Sequence, residues 1–549
     1  MITLRYQHIR PWCFAYVALP LWIFSISWLK PLWGILFSVL IALIVASVFF
    51  KKTVAAAEAK QPGNARPLKT DAELALTFPR GKLIALMIVT VLIGAVWVWW
   101  SGIGGWFVQS SDFNARNAVF RDLINYDWPV IYGGEKGALV YYIGFWLPAA
   151  CVGKLAALLT QDTATVWSIA NTALYVWTLI GVFLTFLLIF FQVRANSLKK
   201  VALALLVFLF FSGMDIIGFT IAEYPMSKLH LEWWTHTRFQ YSSVTTTLFW
   251  VFNQTVITWV ATLTMLQENK PRYFVFLGVM CLFCGPLPFA GYVVLALARG
   301  IQFWWQNRKL HKFYLTNLFS IPNLIGIFAL FPMVLSYFAC NRAAAVNGMV
   351  QVTNSKFKLD ATTIRYYTLF IVLEILVYTL VLIYSNRKNL VFWVNTAFLL
   401  VCPFIHVGSA ADFCMRASIP GLVYLCLCVI RYLFDHVDRL HKLPTLLGVG
   451  AICIVLTVGA LTPGVELARG VIRADQKHQI IQVKDSYKTL NNTSLSVKKV
   501  SNFVCPQYEE TLFFRVFAKG DYGQKSGASS DYDALQEPTM KDTLESRKQ

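Results

Sequence analysis

LIALMIVTVLIGAVWVWW, running from Leu83 to Trp100, contains no charged residue and no proline. A helix needs roughly 20 such residues, at about 1.5 Å each, to cross a bilayer, and in hydrocarbon it satisfies its own backbone N–H and C=O groups. Arg80 and Lys82 stand immediately before it, and Trp97, Trp99, Trp100 and Trp106 gather at its far end. Basic residues favour the cytoplasmic side and tryptophans the interface, so this span leads outward and the loop after it is extracytoplasmic.

Upstream, the chain opens with a basic stretch (Arg5, His8, Arg10) and an apolar run from Pro11 to Trp28. Lys30-Pro31 follows where a signal peptide would carry small residues for cleavage, which predicts an uncleaved anchor. Leu32 to Phe50 forms a second run, closed by Lys51-Lys52 and a polar cytoplasmic segment bearing Lys60, Arg66 and Lys69. Downstream, apolar runs recur near 137–158, 164–191, 201–219, 243–266, 273–304, 313–337, 363–384, 390–408, 417–434 and 446–462. The expected fold is an all-α integral membrane protein with about thirteen transmembrane helices and extracytoplasmic juxtamembrane helices. Residues 1–462 form the polytopic domain, and 463–549 a short extracytoplasmic segment, disordered from Gly520.

Two runs resist simple counting. Basic clusters at Arg194/Lys199/Lys200, Lys270/Arg272, Arg308/Lys309/Lys312, Arg387/Lys388 and Arg439/Lys442 belong on the cytoplasmic side. An odd number of crossings must then separate Ser101 from Arg194, yet two runs lie between them: either 137–158 does not fully cross or Arg194 is out of place. Residues 273–304 are too long for one span and have basic residues at both ends. Cys284-Gly285-Pro286-Leu287-Pro288 in their middle predicts two short helices meeting at a Gly-Pro break beside a cavity.

Composition points the same way. Of the 549 residues, 57% are hydrophobic and 14% charged, against roughly a quarter charged in soluble proteins. A soluble multidomain enzyme, a collagen and a disordered chain are excluded. The net charge of +20 comes from basic residues at span ends, which orient the protein and meet anionic head groups. It implies membrane lipids as partners and no nucleic acid. Most of the 11 cysteines sit in apolar runs as small hydrophobes, and Cys281-x-x-Cys284 lacks a redox or zinc context.

Chemistry is expected in the outer loops 101–136, 220–242, 338–360 and 408–416. In the first, Phe113, Phe120 and Ile124 recur near helical spacing while Arg116, Arg121 and Asp122 fall elsewhere. This predicts an amphipathic helix along the membrane surface with Asp112 at its N-terminus, where capping is the simplest role. The second loop crowds Glu223, His230, Glu232, Trp233, Trp234 and His236 ahead of a span containing Asn253 and Gln254. Adjacent tryptophans suit sugar stacking as well as an interfacial belt, and the histidine spacing matches no strong metal-ligand pattern. In the last loop Asp412 and Arg416 are four apart and pair if helical. Arg416 and, in loop 338–360, Arg342 are suited to a lipid phosphate.

An outward span leading directly into an outer loop that bears Asp112, together with many spans and a broken short-helix pair, resembles the GT-C superfamily of polytopic glycosyltransferases. The chain departs from that pattern in having two spans before the one that leads into the Asp112 loop, and a small C-terminal segment. The resemblance implies an inverting transferase with Asp112 as catalytic base and a polyprenyl-phosphate sugar as donor. Its acceptor would be a glycan or glycolipid on the extracytoplasmic face, used in cell-envelope polysaccharide assembly. Arg416 and Arg342 would hold the donor phosphate, and Arg116, Asp122, Glu223, His230, Glu232, Trp233, Trp234, His236 and Asp412 would contact donor or acceptor. No cofactor is required; a divalent ion on Asp112 with Asp122, Glu223 or Glu232 is the less favoured arrangement. The absence of retention and lipidation motifs favours a bacterial plasma membrane. The alternatives are a lipid-linked sugar flippase or transporter and a polysaccharide polymerase or ligase. A transporter predicts charges spread through the membrane depth, where Glu374 is nearly the only acid well inside a span.

Overall fold

The computed structural model describes residues 1–50, 65–69, 75–132, 134–225, 230–341, 360–407, 411–476 and 487–520. Ten of its helices are long and apolar enough to cross a membrane, and three further apolar helices, Ile143–Leu159, Phe274–Cys284 and Leu390–Phe404, are shorter. The chain is a multi-pass helical membrane protein. Its first three helices are α1 (Tyr6–Trp28), α2 (Pro31–Phe49) and α3 (Arg80–Trp100). Only 33% of the most apolar window of α2 and of α3 is buried, so their remaining Leu, Ile and Val side chains form a surface suited to lipid.

The helix expected after Asp112 is α4 (Phe113–Asn125), but it does not lie with its apolar face on the membrane surface. Phe113, Phe120 and Ile124 are buried within the protein, and so are Arg116 and Asp122 from the face expected to be polar. Next, α5 (Leu147–Leu159) is tied to the end of α4. Lys154 Nζ donates to the Tyr126 carbonyl at 2.6 Å, and a Cβ at Gly153 would lie 3.0 Å from the Ile124 side chain. The run 137–158 therefore stays at one end of the bundle, and α6 (Thr163–Val193), 31 residues long, alone leads to Arg194 at the other.

The single span expected over 201–219 is broken into α7 (Leu198–Leu209) and α8 (Asp215–Ile221). Neighbouring helices satisfy the backbone groups the break exposes. Thr245 Oγ1 donates to the Leu209 carbonyl at 2.7 Å, Tyr378 Oη to the Ser212 carbonyl at 3.0 Å, and Met214 N–H to the Leu373 carbonyl at 3.0 Å. At the centre runs α9 (Val244–Gln267), its apolar window 94% buried and its helix kinked at Val251. Asn253 and Gln254 lie in it, fully buried, and the Asn253 amide and Gln254 Oε1 meet no hydrogen-bond partner among the described residues.

As the Gly-Pro sequence predicts, 273–304 divides at Gly285 into α10 (Phe274–Cys284) and α11 (Pro286–Asn307). Arg299 Nη2 donates to the carbonyls of Leu266 and Glu268, so the far end of α11 returns to the end from which α10 starts. Further helical elements include α12 (Ile321–Ala339), α13 (Ala361–Asn386), α14 (Leu390–Val401), the short α15 (Asp412–Ala417), α16 (Ile419–His436), α17 (Leu443–Gly459) and α18 (Leu461–Gln476). Helix thus continues well past residue 462, where a polar segment was expected to begin.

Polar contacts gather at the two ends of the bundle. At one, Arg10 clasps Glu268 with Nε–Oε1 at 2.7 Å and Nη2–Oε2 at 2.8 Å, and Lys69 Nζ meets Gln192 Oε1 at 3.1 Å. Here β1 (Ile2–Arg5) pairs antiparallel with β2 (Ala75–Phe78). At the other end residues 487–520 fold back on the 101–142 region. There β3 (Ala138–Leu139) pairs antiparallel with β4 (Val504–Cys505), and Lys30 Nζ donates to the Arg515 carbonyl at 2.6 Å. Lys60, Arg342, most of loop 338–360, residues 408–410 and everything after Gly520 lie outside the described residues.

Candidate functional site

Two helical turns with the same opening carry the charges at this second end. Asp112-Phe-Asn-Ala-Arg116 leads into α4 and Asp412-Phe-Cys-Met-Arg416 forms α15, so each presents Asp-Phe-x-x-Arg. The four-residue spacing brings acid and base together. Asp112 Oδ2 lies 3.0 Å from Arg116 Nη2, and Asp412 Oδ1 lies 2.7 Å from Arg416 Nη1. The Asp112 and Asp412 side chains are 46% and 35% exposed, whereas those of Arg116 and Arg416 are 7% and 14%. Asp112 makes no capping bond to α4, because its own φ/ψ of −65°/−23° is helical rather than the extended conformation a capping residue adopts. Its carboxylate turns to Arg116 instead.

Both arginines act on one tyrosine. Tyr141 lies against Tyr142, with ring centroids 3.6 Å apart. Burial, and then Tyr142, pushes the Tyr141 hydroxyl well above its ordinary range, while the charges of Arg116 and Arg416 pull it back. Burial alone would lower Arg416, but Asp412 and the two tyrosines hold it above the usual arginine range. Arg116 also packs over the rings of Phe113 at 5.7 Å and Phe252 at 5.8 Å. Two buried donors, Arg116 Nη1 and Arg416 Nε, have no hydrogen-bond partner among the described residues. An orphaned donor of this kind costs about 1–3 kcal/mol until an acceptor reaches it. The Asp-Phe-x-x-Arg repeat is visible in the sequence and is the signal that links these distant loops; composition and span counting passed over it.

Behind loop 220–242 lies a second group, three buried acids. Asp215 accepts from Thr462 Oγ1 at 3.0 Å, Ser212 Oγ at 3.2 Å and Trp234 Nε1 at 3.3 Å, and it is hydrogen-bonded to Glu374. Glu374 sits in a π-helical turn, Val372–Leu376, within α13. Glu232 accepts from Ser242 Oγ at 2.6 Å, Ser243 N–H at 2.9 Å and Gln240 Nε2 at 3.0 Å. Burial first, and then the charge of Asp215, pushes Glu232 up to about 8. His230 is driven down to about 3 by burial and by Arg469 and Arg473, so it is a neutral ring, stacked on Trp233 at 4.2 Å. Trp234 is 1% exposed and offers no open face for a sugar.

The continuation of the last span adds residues that the reading of the outer loops missed. α18 lies over the ends of α3 and α9: Trp100 Nε1 donates to the Leu467 carbonyl and Trp250 Nε1 to Glu466 Oε2, both at 3.0 Å. Arg469 pairs with Glu466 and stands 4.8 Å over the Trp250 ring. Between these elements opens a small cleft of about 30 Å³. Glu466-x-x-Arg469-x-x-x-Arg473, at helical spacing directly after an apolar run, was the available signal.

Other candidates have different surroundings. Asp122 is fully buried and accepts from Tyr132 Oη, Thr489 Oγ1 and the Leu490 N–H, which fastens the C-terminal segment to α4. Burial pushes it up to about 6 against the pull of those bonds. Glu223 and His236 are exposed at positive φ, and the His236 ring meets Tyr224 and Tyr366 edge-on. Among the described residues, no three His, Cys, Asp or Glu are grouped so as to hold a metal ion. No family profile, no curated protein and no solved structure matches the chain.

Proposed function

We propose that this protein is a membrane glycosyltransferase moving a sugar from a polyprenyl-phosphate donor to a glycan or glycolipid acceptor on the extracytoplasmic face. The setting would be envelope polysaccharide assembly at a bacterial plasma membrane. The observation that carries the reading is the pair of Asp-Phe-x-x-Arg turns, which set an exposed carboxylate beside two sunken guanidinium groups with open N–H donors. Asp112 takes the proton of the acceptor hydroxyl as that oxygen forms its bond to the anomeric carbon. The bond from that carbon to the lipid phosphate breaks on the opposite face, inverting the centre, and the phosphate leaves with the electron pair. Arg416 Nε and Arg116 Nη1 supply hydrogen bonds and charge where that pair arrives.

Sugar transfer in proteoliposomes tests this. Asp112→Asn keeps the shape and removes the basicity, so turnover falls by roughly two to four orders of magnitude with donor affinity little changed. Full activity in that variant would sink the assignment. A second reading, a lipid-linked sugar carrier, draws on the buried acids Glu374, Asp215 and Glu232, which extend from a long helix to the outer loop. It predicts sugar-lipid translocation that Glu374→Gln abolishes and Asp112→Asn leaves intact.

A further inference from the structure

Two cysteines at the outer-loop end touch across separate elements. Cys402 begins the 3-10 turn Cys402–Phe404 that follows α14, and Cys414 is the third residue of α15. α15 packs on that turn, where Cys402, Phe413 and Ala417 are buried together. Cys402 Sγ lies 3.9 Å from the Cys414 carbonyl oxygen, and the two thiol groups interact side chain to side chain. A disulfide joins residues in this kind of contact, with Cα atoms about 4 to 7 Å apart and sulfurs at about 2.05 Å. Cys281 with Cys284 in α10, and Cys426 with Cys428 in α16, each share one helix and one buried apolar run. Cys402 and Cys414 instead connect two elements at the end of the bundle that carries Asp112, Arg116 and Arg416.

We propose that Cys402 and Cys414 form a disulfide that pins the Asp412-Phe-x-x-Arg416 turn to the end of α14. The orientation read from the basic clusters puts this end outside, where thiols are oxidised rather than kept reduced. The oxidant is a disulfide-bearing protein oxidase of that compartment. One cysteine thiolate attacks the oxidase disulfide to give a mixed disulfide, and the other thiolate then displaces the oxidase. Cys402 and Cys414 lose two electrons and two protons, and the oxidase disulfide becomes two thiols. In the folded protein Cys402 and Cys414 are 0% and 2% exposed, so exchange takes place before α15 docks and the finished bond is shielded from reductant. Arg416, paired with Asp412 at 2.7 Å, stands two residues beyond Cys414. A bond between residues twelve positions apart removes undocked arrangements of that turn. The bond itself is independent of the transferase reading; that it steadies a phosphate-binding Arg416 rests on that reading.

The test uses the full-length protein, its free thiols trapped with N-ethylmaleimide in denaturing detergent before digestion with trypsin. Asn389 to Arg416 is one tryptic peptide carrying both cysteines. It should take no label and be about 2 Da lighter than its dithiol form, then take two labels after reduction. Cys402→Ser should leave Cys414 open to one label. Reduced wild-type protein comes from cells lacking the outer-compartment disulfide oxidase. Its hydrogen exchange over residues 411–418 should be about ten- to a hundredfold faster than in the oxidised protein, with the β1–β2 end unchanged. That comparison involves no substitution, so a misfolded variant cannot imitate it. Two labels on the unreduced wild-type peptide overturn the proposal, as does pairing of either cysteine with a third, or equal exchange in the two forms. If sugar transfer is absent while the peptide is oxidised, the enzyme reading falls and the disulfide stands; if transfer occurs and the peptide takes two labels, only the disulfide falls.

Discussion

Removing the Asp122 carboxylate should release residues 487–520 from α4. Asp122 holds that segment through Thr489 Oγ1 at 2.5 Å and the Leu490 N–H at 2.9 Å, so Asp122→Ala strands two buried donors at once. Each costs about 1–3 kcal/mol, and after partial relaxation the pair about 3 kcal/mol, a drop of roughly a hundredfold in the docking equilibrium. The pH dependence gives an independent handle. Burial raises Asp122 from an ordinary 3.8 to about 6, so between those values the docked form holds a proton that the released form lacks. Docking therefore weakens as pH rises through that window and levels off above it, by about 1.36 kcal/mol per pH unit and ~3 kcal/mol in all. Asp122→Asn cannot titrate and should flatten the curve while keeping one acceptor. The assay is hydrogen exchange of 487–520 in detergent from pH 4 to 8, corrected for intrinsic rates. Wild-type protection that rises with pH between 4 and 6, or unchanged protection in Asp122→Ala, would refute the reasoning.

Glu232 sits at about 8 when folded against an ordinary 4.5, so its contribution is greatest below that lower value and declines as pH rises toward 8. Thermal melts in detergent at pH 5, 6.5 and 8 should show Glu232→Gln losing part of the wild-type slope, and an identical slope in both proteins counts against a buried titrating Glu232. A Cβ at Gly291 would lie 2.1 Å from the Ala417 carbonyl. Gly291→Ala should thus displace the turn that carries Arg416 and cost about 1–3 kcal/mol in stability, together with donor affinity. Glu268→Gln leaves the Arg10 charge, 14% exposed, without its carboxylate partner. It should lower stability by about 3–5 kcal/mol, read as a fall in melting temperature that Arg10→Met/Glu268→Met largely restores.

The acid chemistry of the outer loops was only half legible. Asp112, Arg116, Asp412, Arg416 and Glu232 stand out as polar residues between apolar runs, and the i,i+4 pairing of Asp412 with Arg416 follows from spacing alone. That the charges of Arg116 and Arg416 both reach Tyr141 required the fold, because they come from loops far apart in the chain. Asp122 illustrates the opposite case. It looked like a site residue on a polar helix face, and the C-terminal segment that buries it comes from hundreds of residues away.

Sequence by itself determined that this is a multi-pass helical membrane protein, because charge-free runs of about 20 residues have no other way to satisfy their backbone in lipid. It also fixed the break at Gly285-Pro286, where proline lacks the donor and glycine the side chain that would continue a helix. Only the tertiary structure decided which runs cross. The pieces over 201–219 are separated because Tyr378, Thr245 and Leu373 supply hydrogen-bond partners for a broken backbone. Residues 137–158 stay at one end because α4 and Tyr126 hold them there. Hydropathy measures what a segment loses in leaving water, whereas its path through the bundle depends on which neighbours satisfy its polar groups, and those neighbours are distant in sequence.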